Sequence, residues 1–171
     1  LMATSTTVAI VPSIYKNLAY DPAKDFSPVM LVAAVPFVLV VHPSLPVNSV
    51  MELVALAKQK PGALNYASAG HGAAQHIYAE LFKSMTGIDI NHIPYKGSAA
   101  SVEALLGGQV VSSWSAVNAA LPHVKAGKLR ALAVGRSQRW HELPDVPTMT
   151  ESGFPDFTID AWTGVVAPAG T

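Results

Sequence analysis

Cysteine is absent from all 171 residues, which removes disulfides and thiolate chemistry from consideration and fits an exported protein. Charge is scarce too. Charged residues make up 13% of the chain, and 11 basic side chains balance 11 acidic ones. A neutral chain lacks the electrostatic footprint of a nucleic-acid or acidic-membrane binder, so neither partner is expected. No apolar run approaches the ~18 residues of a membrane span, so the chain is not expected to cross one. The longest run, VMLVAAVPFVLVV (Val29–Val41), is interrupted by Pro36 and reads as a buried strand. No basic leader opens the chain and it stops just after an apolar run, so both ends read as cuts through structure and a fragment is expected.

Catalytic signatures are equally thin. There is no GxxxxGK[ST] for nucleotide phosphates and no GxSxG nucleophile elbow. The stretch Gly70-His71-Gly72-Ala73-Ala74-Gln75 departs from the dinucleotide fingerprint at its last glycine. His71 and His76 are spaced so that a helix would not place them on one face, and no carboxylate completes a metal set. His42, His92, His123 and His141 are scattered and read as surface or structural histidines. Neither a cofactor, a metal nor a catalytic residue is expected.

What the chain has is core. Half of its residues are hydrophobic, enough for a folded domain. Two periodicities alternate along it. Ser49 with Glu52 forms a capping box for a helix whose stripe is Val50, Leu53, Val54 and Ala57, ending at Pro61-Gly62. LNYAS (Leu64–Ser68) is a strand, and the following helix is expected to bury Ala74, Ile77, Tyr78, Leu81, Phe82 and Met85. Ile90–Tyr95 is strand, and Gly97-Ser98 opens a helix through Val102, Leu105 and Leu106. Gln109–Ser115 is strand, a helix from about Ala116 closes at Lys125 and Gly127, and Leu129–Val134 is strand. A proline-bearing loop then leads to a last strand, Phe157–Ala167. This alternation predicts an α/β layered sheet with helices on both faces.

In such sheets ligands sit at the carboxyl ends of strands, where helices begin. The corner NYASAGHGAAQH (65–76) lies at such an end and is cleared of bulky side chains. Free helix-start N–H groups beside the Ser68 hydroxyl would attract an anion, while the glycines would equally serve a tight turn; both readings stand. Gly97-Ser98 repeats the pattern, and Ser112, Ser113 and Ser115 offer a third hydroxyl-rich corner. Trp114 and Trp162 end apolar strands and read first as core.

Five stretches carry a family resemblance: YDPAKDFSPV, KPGALNYASAGHGAAQH, IPYKGSAASVEALLGGQV, LPHVKAGKLRALAV and LPDVPTMTESGFPDFTIDAWTGVVAPAGT. In that order, essentially end to end, they resemble the solute-binding receptors of tripartite tricarboxylate transporters, the Bug or TctC family. The resemblance implies a periplasmic-binding-protein type II (Venus-flytrap) lobe with a mixed sheet. It implies a non-enzymatic receptor that takes a small carboxylate in an interdomain cleft and delivers it to membrane permease subunits. Residues 1–29 would be a remnant of the first lobe, 30–165 the second lobe, and 166–171 the return, with Met30–Ala34 and Gly164–Ala167 as hinge segments. The expected location is periplasmic.

The resemblance also implies ligand contacts. Ser68, Ala69, Gly70, Gly72 and Ala73 match the family's S-A-G-x-G-[ST] loop, with Ala73 replacing a hydroxyl residue. Gly97, Ser98, Ser113 and Ser115 would serve the neighbouring corners, although Trp114–Asn118 lacks the aspartate of the family's F-D-N-x-P. Thr4 and Ser5 would reach the ligand from the first lobe, with Asp160 and Trp162 on the return. Two other readings remain: a cytoplasmic effector-sensing domain of a regulator, and an enzyme using the Ser68–Gly72 corner as an anion site.

Overall fold

A computed structural model describes residues 1–171. The chain divides into two units, residues 1–35 with 160–171, and residues 36–159. In chain order the elements are β1 (Met2–Thr4), a π-helical turn (Thr6–Ile10), α1 (Val11–Ile14), α2 (Pro22–Asp25) and β2 (Phe26–Val41). There follow α3 (Val50–Gln59), β3 (Asn65–Ser68), α4 (Ala74–Thr86), β4 (Asn91–Pro94) and α5 (Ser98–Leu106). The chain ends with β5 (Ser112–Ala116), α6 (Val117–Lys125), β6 (Arg130–Val134) and β7 (Asp160–Pro168).

The larger unit is a mixed α/β sheet in the order β6-β2-β5-β3-β4. Strands β4, β3 and β5 run parallel, while β2 runs antiparallel to both β5 and β6. Helices α4 and α5 each connect parallel strands, as crossover units require. Helix α3 begins where the capping box predicts, with Ser49 Oγ accepting from Glu52 N–H at 3.1 Å, and it buries Val50, Leu53, Val54 and Ala57. The reciprocal contact shifts by one residue: Glu52 Oε2 takes the Asn48 N–H at 2.8 Å.

Three expectations need correction. Helix α4 buries Ala74, Gln75, Tyr78, Ala79, Phe82 and Thr86, whereas Leu81 and Met85 are 36% and 38% exposed. Aromatic packing sets that rotation. The Tyr78 ring meets Phe37 edge-on at 4.8 Å, and Phe82 sits 6.3 Å from both Trp114 and Phe157. The Val29–Val41 run is one strand through Pro36, but only its second half is buried; Val29, Met30, Leu31 and Val32 are all more than half exposed. Helices cover the second half: the Phe37 ring meets Tyr78 of α4, and Val38 and Val40 share a core with Leu105 of α5 and Ala120 of α6. The last strand starts at Asp160, not Phe157, because the Phe157 ring is stacked 4.8 Å from Trp114 in the core.

In the smaller unit β1 pairs antiparallel with β7, Met2 opposite Val165 and Thr4 opposite Thr163. No helix of the chain is long and apolar enough to cross a membrane.

Candidate ligand-binding site

Because β4, β3 and β5 are parallel neighbours, their carboxyl ends share one edge, with Ser68 opposite Pro94 and Ala67 opposite Ser113. Helices α4, α5 and α6 start from that edge. Their caps are Ala73, Gly97 and Ala116, and none receives a side-chain capping bond. The first-turn amides of a helix have no carbonyl within it to bond, and the helix dipole adds about half a positive charge there. Ser49 accepts a first-turn amide at α3; no side chain does so at α4 or α5, and at α6 Asn118 Oδ1 takes only the Ala119 N–H, at 3.0 Å. Three positive helix ends therefore converge on one sheet edge, and exposed Lys96 precedes Gly97, the cap of α5. Gln75, buried at the start of α4, donates its Nε2–H to Ser98 Oγ at 2.9 Å and ties two of these helix starts together.

The loop glycines answer both readings of the corner. Gly70 (φ +129°) and Gly72 (φ +74°) hold backbone conformations that L side chains rarely adopt, so the turn alone demands them. Gly97 has φ +99°, and a Cβ built there would meet nothing within 4 Å. Its side of the corner is open.

The hydroxyls are less available than their sequence suggests. Ser68 is fully buried, and its Oγ bonds both the N–H and C=O of Gly70 at 3.1 Å and lies 2.6 Å from His92 Nε2. Ser113 Oγ donates to the Ala67 carbonyl at 3.1 Å, and Ser115 Oγ donates to Ser113 Oγ at 3.4 Å. The loop amides are similarly engaged. Gly72 N–H donates to His76 Nδ1 at 3.2 Å, Ala73 N–H to the Gly70 carbonyl at 3.3 Å, and the Ala69 carbonyl accepts Gly97 N–H at 3.2 Å. What remains for a ligand at α4 is its first turn, the amides of Ala74, Gln75 and His76.

Thr4, Ser5, Asp160 and Trp162 belong to the smaller unit. Thr4 and Thr7 exchange backbone and hydroxyl bonds, and Ser5 Oγ accepts the Trp162 N–H at 3.4 Å. Asp160 and Trp162 line a cavity of about 590 Å³ with apolar walls that include Val8, Phe26, Met30 and Leu31. This cavity is lined wholly by residues of the smaller unit and does not coincide with the Ser68 corner.

One grouping was not foreseen from the sequence. His71, His76 and His92 come together beside Ser68, with ring centroids 5.6, 4.9 and 4.2 Å apart. His92 is thus not a scattered residue, and His71 and His76 meet although no helix face unites them. The cause is topology. Parallel pairing sets His92 opposite Tyr66, whose ring stacks on it at 4.8 Å, while His71 lies in the loop before α4 and turns back toward His76. Burial, then the neighbouring His76 and His71, holds the His92 imidazole down at about 4. Burial likewise lowers His76. Glu80 accepts the Tyr66 hydroxyl at 2.7 Å and pairs with Lys83 at 2.9 Å; against the opposing pull of burial, these bonds hold its carboxyl below the ordinary range.

Residues 1–171 match the model of the tripartite tricarboxylate transporter family receptor. Protein BugT of Bordetella pertussis is 41% identical over the whole chain, which corresponds to 52% of that protein. Among solved structures, R. palustris Rpa4515 with adipate is 40% identical with a TM-score of 0.91, covering 99% of this chain and 57% of that one. MatC from Rhodopseudomonas palustris with bound malate is 32% identical with a TM-score of 0.89, covering 99% of this chain and 58% of that one. The chain spans about half the length of the curated relatives it matches. A family match over every residue, with the fold to accompany it, decides the matter: the chain belongs to the tripartite tricarboxylate transporter receptor family.

Proposed function

We propose that this chain captures a small dicarboxylate at the Ser68–Gly72 edge and belongs to a periplasmic receptor that delivers it to a membrane permease. The observation that carries the reading is the convergence of three helix starts without side-chain caps, α4, α5 and α6, on one sheet edge. A carboxylate presents two acceptor oxygens, and such amides bind anions without a full countercharge. The adipate and malate held by two relatives supply the ligand class. In this reading the Ser68–Ala73 loop shapes the corner while the amides of Ala74–His76 and Ser98 hold the anion. Ser113 and Ser115 set the backbone of the third corner. Capture requires no chemical change in the ligand.

The enzyme alternative has one observation in its favour, the 2.6 Å contact between Ser68 Oγ and His92 Nε2, which matches a nucleophile beside its base. Complete burial of Ser68 weighs against it, since a nucleophile must touch its substrate.

A thermal-shift series with adipate, malate, citrate and the corresponding amides tests the reading. A dicarboxylate at a hundred times its dissociation constant should stabilise the fold by about 2.7 kcal/mol, with no shift from its diamide. Equal shifts from acid and amide, or none from any acid, would overturn it.

A further inference from the structure

We propose that His71, His76 and His92 form a site for one divalent transition-metal ion of borderline softness, the class of Zn²⁺, Co²⁺, Ni²⁺ and Cu²⁺. One ligating atom from each of the three lies within 4.8 Å of the others. Three imidazoles around zinc, each about 2.0–2.1 Å from the ion, stand about 3.3 Å from one another. Closing that difference requires a movement of roughly 1.5 Å, and the residue placed to make it is His71. It is exposed and sits in the loop before α4, whereas His76 and His92 are partly buried on regular elements.

The hydrogen bonds leave lone pairs available. Ser68 Oγ can give its own proton to the Gly70 carbonyl and accept the Nε2 proton of His92, so that Nδ1 of His92 is a bare lone pair. An outer hydroxyl that fixes the tautomer in this way is a recurrent support for metal-bound histidine. At His76 the ion displaces only the 3.2 Å bond from Gly72 N–H. No carboxylate joins the set: Glu80, the acidic group facing these rings, is engaged by Tyr66 and Lys83. An all-imidazole set favours these ions over Mg²⁺ or Ca²⁺, which take oxygen ligands. Three protein ligands leave the fourth tetrahedral position open to water or to an oxygen of an incoming anion.

The site does not depend on the carboxylate reading, and its test uses metal alone. Chelator-treated protein would be titrated with Zn²⁺ by calorimetry, and with Co²⁺ by visible absorption, in a buffer free of carboxylates. The expected result is one ion per chain and the intense bands of tetrahedral Co²⁺. Affinity should fall at least tenfold in His71→Ala, an exposed loop change that leaves the core untouched, and in His76→Gln. It should be unchanged in His141→Ala, whose imidazole lies on the surface elsewhere. No saturable one-to-one binding, full affinity in His71→Ala, or an equal loss in His141→Ala would each overturn the site.

Discussion

Lowering the pH from 7.5 to 5 should cost the folded chain about 1 kcal/mol through His92 alone. In the folded state burial and the neighbouring His76 and His71 hold its imidazole at about 4, against an ordinary value of 6.5. As the pH falls below 6.5, the unfolded chain takes up the proton while the folded chain refuses it. The stabilisation is therefore complete above 6.5 and is lost progressively as the pH falls through the folded value near 4. At 1.36 kcal/mol per pKa unit, the window from 6.5 to 5 corresponds to at most about 2 kcal/mol. His92 is only partly buried, and solvent screening brings the expectation down to about 1 kcal/mol. His76, lowered by burial, acts in the same direction. Glu80 also favours the folded state at higher pH, but its carboxyl titrates below its ordinary 4.5, so stopping at pH 5 keeps it out of the window.

The assay is urea unfolding of chelator-treated protein at pH 7.5, 6.5, 5.5 and 5, with His92→Gln alongside. The stability difference between wild type and variant should shrink by about 1 kcal/mol across the series. Parallel curves would show that His92 titrates normally, and a difference that grows toward acid would mean that the folded state favours the charged ring. Either result would refute the packing argument for the cluster.

Ser68→Ala should destabilise by about 1–3 kcal/mol in urea unfolding, because it strands the buried partners of Oγ at Gly70 and His92. Phe82→Ala, which removes a fully buried ring packed edge-on against both Trp114 and Phe157, should cost about 3–5 kcal/mol in the same assay. Gly97→Ala meets no steric obstacle at its Cβ but forces an L residue to φ +99°, so a loss of about 1–2 kcal/mol is expected, with weakened adipate binding by calorimetry.

The fold was legible in the sequence wherever a local signal had a local cause. Ser49 and Glu52 mark the start of α3 because the bonds from Glu52 N–H to Ser49 and from Asn48 N–H to Glu52 are made within five residues. The parallel α/β order followed from strands and helices alternating between glycine turns. Legibility failed where the cause was remote. The rotation of α4 depends on Trp114 and Phe157, which come from other parts of the chain, and helical spacing alone could not choose between its two apolar edges. The histidine cluster was hidden for the same reason. His92 becomes a neighbour of His76 only once β4 is paired beside β3 in a register that sets His92 opposite Tyr66. The usable signal was the parallel pairing of those two strands.

In the proposed reading, the corner that first suggested an anion site holds its anion through groups other than those that drew attention to it. Ser68, Ser113 and Ser115 spend their hydroxyls on one another and on backbone carbonyls, and the amides of Gly70, Gly72 and Ala73 close the turn. A donor already bonded inside the protein contributes to binding only the difference between two similar bonds, so these groups fix shape and add little affinity. The unspent donors are the first-turn amides of α4 and α5, rigid because the helices are packed on the sheet and the Gln75–Ser98 bond locks the two together. Rigid donors without side-chain entropy to lose bind at lower cost than hydroxyls on free rotors. In the proposed reading, selectivity among dicarboxylates would follow from the spacing of helix ends rather than from the identity of any hydroxyl residue. On this reasoning Ala73, with no hydroxyl of its own to cap α4, leaves one more amide to the ligand.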